Sequence, residues 1–175
     1  ENNEFRLVLD LNSDAQFPFV SSGEGGLLGI ASKNKLVYVS YTIQDINNLY
    51  SLVVDEYSEN FTKVRNIIKI NGNPDATYIT HFSGNLLFDS HGALYLSVGD
   101  VDDPNTAQNL NSLKGKILRL DISKLKLEPE IIAYGIRVPW GGVIDSKDRM
   151  FVLQCGHTDV EAIYLLNDLY SGIPA

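Results

Sequence analysis

Three stretches of this chain follow one plan, and that plan leaves few folds open. Ser32-Lys33-Asn34-Lys35-Leu36-Val37-Tyr38-Val39, Ser90-His91-Gly92-Ala93-Leu94-Tyr95-Leu96-Ser97 and Ser146-Lys147-Asp148-Arg149-Met150-Phe151-Val152-Leu153 each pass from a polar turn into an apolar strand. An apolar approach segment precedes each of them, over 27–30, 86–88 and 142–144, and a further β-rich run begins near Leu49, Lys116 and Val160. The serines at 32, 90 and 146 are 58 and 56 residues apart. A unit of that size carrying about four strands reads as a propeller blade. Such a unit cannot bury both faces alone and must stack on its neighbours. The competing reading is a β-sandwich of unrelated hairpins.

The rest of the pattern agrees with an all-β chain. Gly, Asn, Asp or Pro interrupts the sequence every few residues, and no segment longer than two turns keeps a helical period. Runs rich in Val, Ile, Leu and Tyr predict strands over 5–9, 36–42, 49–54, 64–70, 94–98, 116–120, 150–153 and 163–166. The 175 residues are expected to form one partial propeller domain (1–175), with approximate divisions at 1–26, the end of a preceding blade, then 27–80, 81–140 and an incomplete 141–175. About three blades fit, whereas a closed ring takes about four to eight. Part of a larger propeller, or closure with a second chain, follows as an expectation; the close of the sequence at Ser171–Ala175 just after a strand suits either.

Composition excludes several functions. The chain is 44% hydrophobic with a net charge of −8, so it can bury a core and lacks the cationic face that nucleic-acid phosphates require. No apolar run approaches the length of a helical membrane span. Cys155 is the single cysteine, which excludes an intrachain disulfide and a cysteine-built zinc site. With no cation beside it in sequence, it has no support as a nucleophile.

Few residues offer chemistry. His91 lies in a turn, His157 follows a blade strand within Gln154-Cys155-Gly156-His157, and His81 opens a blade ahead of Phe82-Ser83-Gly84. A histidine is the side chain suited to taking a proton near neutrality. Asp100, Asp102 and Asp103 crowd the segment Gly99–Asn105, an acidic turn with Pro104 ending the strand; it lacks the spacing of an EF-hand. Arg137 stands between apolar stretches, and a desolvated guanidinium needs an anionic partner, either an internal carboxylate or an anionic cofactor. Ser22-Gly23-Glu24-Gly25-Gly26 is no phosphate loop, because it lacks the Lys-Ser/Thr ending; its glycines suit close backbone approach at a blade mouth. Asn60-Phe61-Thr62 matches a glycosylation acceptor, a motif too short to fix a compartment.

Four segments occur in a recognisable order: Gly23–Ala31 (GEGGLLGIA), His81–Leu86 (HFSGNL), Gly92–Asp100 (GALYLSVGD) and Tyr134–Trp140 (YGIRVPW). In this order they resemble the soluble quinoprotein glucose/sorbosone dehydrogenases, the pyrroloquinoline quinone (PQQ)-dependent aldose sugar dehydrogenase family, over Glu24 to Ile163. The resemblance implies a six-bladed β-propeller of roughly 340 residues, six repeats of the spacing found here, with PQQ and Ca²⁺ at one end of its channel. It implies oxidation of a sugar's C1 hydroxyl to a lactone, with hydride passing to PQQ and electrons on to an external acceptor. It also implies an extracytoplasmic location: periplasmic, secreted or surface-anchored. By position, His81 is similar to the catalytic base, Asp100 to the carboxylate that orients it, and Arg137 to the arginine that stabilises charge on the quinone oxygen. Glu24 and Asn105 fall at cofactor-binding positions, and the carbonyls of Gly156 and His157 at the Ca²⁺ ligands. Three departures stand out: Ser83 where the family has Gly, Val138 where an Asn follows the arginine, and His157 where the family has Pro. With the later blades' basic residues absent, weak PQQ binding by this chain alone is expected. The same superfamily includes non-catalytic binding propellers such as Hedgehog-interacting protein, so a binding module is the alternative.

Overall fold

The computed structural model describes residues 4–14, 19–76, 78–157 and 160–171, and they form three antiparallel sheets. The first contains β1 (Leu27–Lys33), β2 (Leu36–Gln44), β3 (Tyr50–Ser58) and β4 (Lys63–Asn71) in sequential order. The second repeats that meander with β5 (Ser83–Phe88), β6 (Leu94–Val98), β7 (Lys116–Leu120) and β8 (Glu130–Tyr134). The third has β9 (Val138–Ile144), β10 (Met150–Cys155) and β11 (Glu161–Leu166). Each sheet's first strand is its edge, and β5 packs against both β1 and β9. These are blades stacked about a common axis, two of four strands and one of three: the β-propeller architecture expected from the repeat.

Period-two patterning explains why the sheets stack. Along β2, Tyr38 points into the core shared with the second sheet, while Val39, Tyr41 and Ile43 point to the opposite face. Along β6, Leu94, Leu96 and Val98 meet the first sheet's Leu52 and Val54, whereas Tyr95 turns toward Met150 and Val152 of the third. Central strands therefore bury both faces, which is why apolar residues occupy adjacent as well as alternate positions along β2 and β6. Each fully buried Leu or Val contributes about 1.5–3 kcal/mol. Buried ions also fasten the first sheet. Asp55, fully buried, accepts from Tyr41 Oη and from Lys63 Nζ at 2.7 Å. Arg65 pairs with Glu56 at 3.0 Å and reaches the Ile122 carbonyl, in the connection after the second sheet's third strand, at 2.6 Å.

Three local expectations need correction. Residues 5–9 form no strand: Phe5 and Leu7 are solvent-exposed, no described strand pairs with them, and unpaired backbone has nothing to hold it extended. The chain then forms α1 (Leu11–Asp14), and Leu9, Leu11 and Phe19 pack on the outer face of the first sheet. Pro104 does not end a strand but starts α2 (Pro104–Gln108), where its missing N–H costs nothing. The third sheet starts at Val138, so the division placed at 140/141 falls inside β9. Gly172 to Ala175 lie outside the described residues.

The first two sheets approach closely at Gly29. A Cβ there would lie 2.3 Å from the Gly84 carbonyl oxygen and 2.9 Å from Ser40 Oγ. Gly29→Ala is therefore expected to destabilise the protein by about 1–3 kcal/mol, as overpacking does. Gly141→Ala, whose Cβ would meet only Leu153 Cδ1 at 3.6 Å, is expected to be near-neutral. Denaturant unfolding of both variants checks the pair; equal losses would contradict the proposed contact.

Candidate active site at the axial mouth

Antiparallel meanders sort the candidate residues to one end of the blades. The first strand of every sheet starts at that end and the second strand finishes there. Glu24 comes just before β1, His81 before β5 and Arg137 before β9; Asp100 follows β6 and Gly156 follows β10. Residues far apart in sequence thus converge on one mouth near the innermost strands. His91 and Asp148, in the β5–β6 and β9–β10 turns, lie at the opposite end, where they pair at 3.4 Å.

His81 and Asp100 form the centre. His81 Nδ1 lies 2.8 Å from Asp100 Oδ1, with the two side chains 13% and 3% exposed. An ionised carboxylate only accepts, so Nδ1 carries the proton and Nε2 is left with its lone pair. Asp100 cannot swing away easily. Its Oδ1 also accepts from the Asp102 amide at 3.1 Å, and its own amide donates to the Arg137 carbonyl at 2.8 Å. Val101 and Asp102 both take left-handed conformations, φ 54° and 58°, and this tight turn brings the Asp102 amide back onto the carboxylate.

His81 is itself held in a left-handed conformation, φ 54°. The Glu24 carboxylate accepts from its amide at 2.7 Å, while the Glu24 amide donates to the Ile79 carbonyl at 2.8 Å. Glu24, expected at the cofactor edge, thus supports the backbone that presents the imidazole. Gly99 lies where three segments cross: a Cβ there would be 1.8 Å from the His81 carbonyl oxygen and 3.0 Å from that of Arg137. Only glycine lets β6 leave so close to the start of β5.

Arg137 is half-buried, and its Nη1 donates to the Gly156 carbonyl at 3.1 Å. Of the two partners weighed for it, no carboxylate pairs with it among the described residues. The Gly156 amide donates to the Val160 carbonyl at 2.6 Å, closing the turn after β10. His157 is exposed. Asn105 is exposed on α2, beyond Asp100. Cys155 pairs across the sheet with Glu161; the hydrogen bond to that carboxylate, more than burial, pushes its thiol pKa up, so it stays a thiol. Val138, beside Arg137, is buried and offers no hydrogen bond.

Does this mouth fit PQQ and Ca²⁺? Thr80 Oγ1 and Ser83 Oγ, flanking His81 in sequence, and Asn85 Nδ2 are buried without a hydrogen-bond partner in the structure. Unmet groups of this kind cost about 1–3 kcal/mol each and cluster where function needs them. Among the described residues no three His, Cys, Asp or Glu side chains gather around a metal position, so a cation here would rest on main-chain oxygens such as that of Gly156. The donor set (an imidazole with a free Nε2, a guanidinium without a carboxylate, a turned-in carbonyl) fits the reacting edge of an anionic quinone.

The chain is similar in sequence and in fold to known proteins. Aldose sugar dehydrogenase YliI of Escherichia coli is 29% identical over 138 residues, covering 68% of this chain and 37% of that protein. HIPL1 protein of Arabidopsis thaliana is 33% identical over 115 residues, covering 58% of this chain and 16% of that protein. The solved soluble aldose sugar dehydrogenase of Escherichia coli, in its apo form, superposes with a TM-score of 0.67 at 25% identity, over 85% of this chain and 49% of that one. The PQQ-bound aldose sugar dehydrogenase of Streptomyces coelicolor gives 0.65 at 26% identity, over 83% and 46%. The chain thus spans about half of these solved structures and less of the curated relatives. The profile of the glucose/sorbosone dehydrogenase family matches residues 11–168, and the chain belongs to that family.

Proposed function

We propose that this chain carries the proton-abstracting half of a PQQ-dependent aldose dehydrogenase, acting on a sugar with a free C1 hydroxyl. The observation that carries this reading is the 2.8 Å His81–Asp100 pair at the axial mouth. His81 Nε2 takes the proton of the C1 hydroxyl, and Asp100 holds the resulting imidazolium in place through Nδ1. PQQ, when bound with Ca²⁺, supplies the two-electron acceptor that receives the C1 hydride, so the sugar leaves as a lactone. Arg137 offers positive charge where negative charge develops. The Gly156 and His157 carbonyls are the oxygens proposed for Ca²⁺, and Glu24 and Asn105 border the cofactor. An external acceptor then collects the electrons. An extracytoplasmic setting goes with this reading; no described helix is long and apolar enough to cross a membrane.

The alternative reading is a propeller that binds without catalysing, and buried Val138 beside Arg137 favours it, since the cofactor pocket loses an amide there. Closure of the ring by further blades, from the same polypeptide or a second copy, would cover the apolar outer face of the third sheet, where Val143, Leu153, Ile163 and Leu165 are exposed.

With PQQ and Ca²⁺ added to the protein at its native length, aldose-dependent dye reduction is expected. His81→Ala should lower kcat by about 10²–10⁴-fold, the usual size of a general-base contribution. Dye reduction by the wild type that His81→Ala leaves unchanged would contradict the base, and no reduction with any aldose would favour the binding reading. Asp100→Asn is expected to lower kcat by at least about 10²-fold with little change in KM, because the amide can present its N–H to Nδ1 and favour the wrong tautomer. Steady-state kinetics over several aldoses check this; a change confined to KM would contradict it.

A further inference from the structure

Lys116 is a charged residue with nothing of its side chain exposed, placed in one of the two central strands of the second sheet between Val98 and Tyr134. Its ammonium has three N–H donors, and all three are used. Nζ donates to the carbonyls of Thr106 at 2.8 Å, Ala107 at 2.9 Å and Lys114 at 2.6 Å. No carboxylate is among its partners. Main-chain dipoles at the C-terminal part of α2 hold the charge instead, and desolvation lowers its pKa.

The carbonyls it grips belong to the segments that deliver the site. Thr106 Oγ1 bonds the Asp103 carbonyl at 2.7 Å and the Asp100 carbonyl at 3.3 Å, so the residue whose carbonyl Lys116 holds also touches Asp100. The Ala107 carbonyl is shared: besides Lys116 it accepts from the Gly135 amide at 2.8 Å, two residues before Arg137. Arg137 in turn receives the Asp100 amide on its own carbonyl at 2.8 Å. The loop from Gly99 to Gly115 and the segment 135–137 are thereby tied to one buried cation, while the loop's ends meet through the Gly115 amide and the Gly99 carbonyl at 2.8 Å.

We infer that Lys116 is a positioning residue for the His81 site: by gripping the carbonyls of Thr106 and Ala107 it sets where the Asp100 carboxylate and the Arg137 guanidinium stand relative to each other. Its catalytic consequence rests on the dehydrogenase reading above; its structural consequence does not. A purely fold-stabilising lysine would change stability and leave the His81–Asp100 bond alone. A positioning lysine changes that bond.

The test compares Lys116→Met with Leu120→Ala in the protein at its native length. Leu120 is fully buried at the far end of the same strand, so its truncation weakens the core without touching the loop. The readout is the proton resonance of His81 Nδ1–H, recorded without cofactor and far downfield when bonded to a carboxylate. The expected result is loss or a marked upfield shift in Lys116→Met and retention in Leu120→Ala, both folded by circular dichroism. Retention in both, or equal loss in both, overturns the inference. Should Lys116→Met fail to fold, Lys116→Gln decides, since its shorter amide cannot donate to all three carbonyls: an upfield shift of the resonance supports the inference and an unchanged resonance overturns it. With PQQ, Ca²⁺ and an aldose, Lys116→Met should lower kcat about 10–100-fold with KM nearly unchanged, the scale of a small misplacement of reacting groups. If the wild type oxidises no sugar, the dehydrogenase reading fails alone, and the resonance still decides the role of Lys116.

Discussion

The antiparallel meander with its first strand on the axis is the constraint from which everything else follows. Sheets that must stack to bury both faces, and that all begin at the axis, deliver the starts of β1, β5 and β9 and the ends of β6 and β10 to one mouth. Glu24, His81, Asp100, Arg137 and Gly156 are spread over more than half of the chain, yet the repeat alone brings them to the same end. Their convergence is a consequence of the repeat rather than of any local motif.

Stacking also sets how the mouth is held. Close backbone crossings at Gly29 and Gly99 leave no room for a side chain. Left-handed residues at His81, Ser83, Val101 and Asp102 concentrate beside those crossings. Each strained non-glycine conformation costs of the order of 1–3 kcal/mol, and the packed core on both sides of β6 and β7 offsets it. Backbone strain at His81 and in the turn just after Asp100, beside unpartnered hydroxyls at Thr80 and Ser83, is what the ligand site proposed above calls for.

Much of this was legible in the sequence. The serine-anchored hairpins and the β-rich runs that follow them announced three stacked sheets, and the motif order singled out His81 and Asp100, the pair found in contact. Residues 5–9 misled because a β-rich pentapeptide says nothing about whether a partner strand exists. Pro104 misled because proline stops a strand and starts a helix with equal ease. The contact of Glu24 with the His81 amide was invisible, since a backbone partner 57 residues away leaves no spacing signal. Lys116 leaves one trace in the sequence: a cation heading the apolar pair Ile117-Leu118, where a charge must have partners.

The most direct test of the proposed chemistry is the deuterium kinetic isotope effect with an aldose labelled at C1, measured on the protein at its native length with PQQ, Ca²⁺ and a dye acceptor. A base at the axial mouth that removes the hydroxyl proton while hydride leaves C1 predicts slower turnover of the labelled sugar, with lactone as product and with the effect on kcat/KM at low sugar concentration. Turnover that ignores the label across that range, or a product other than the lactone, would contradict it.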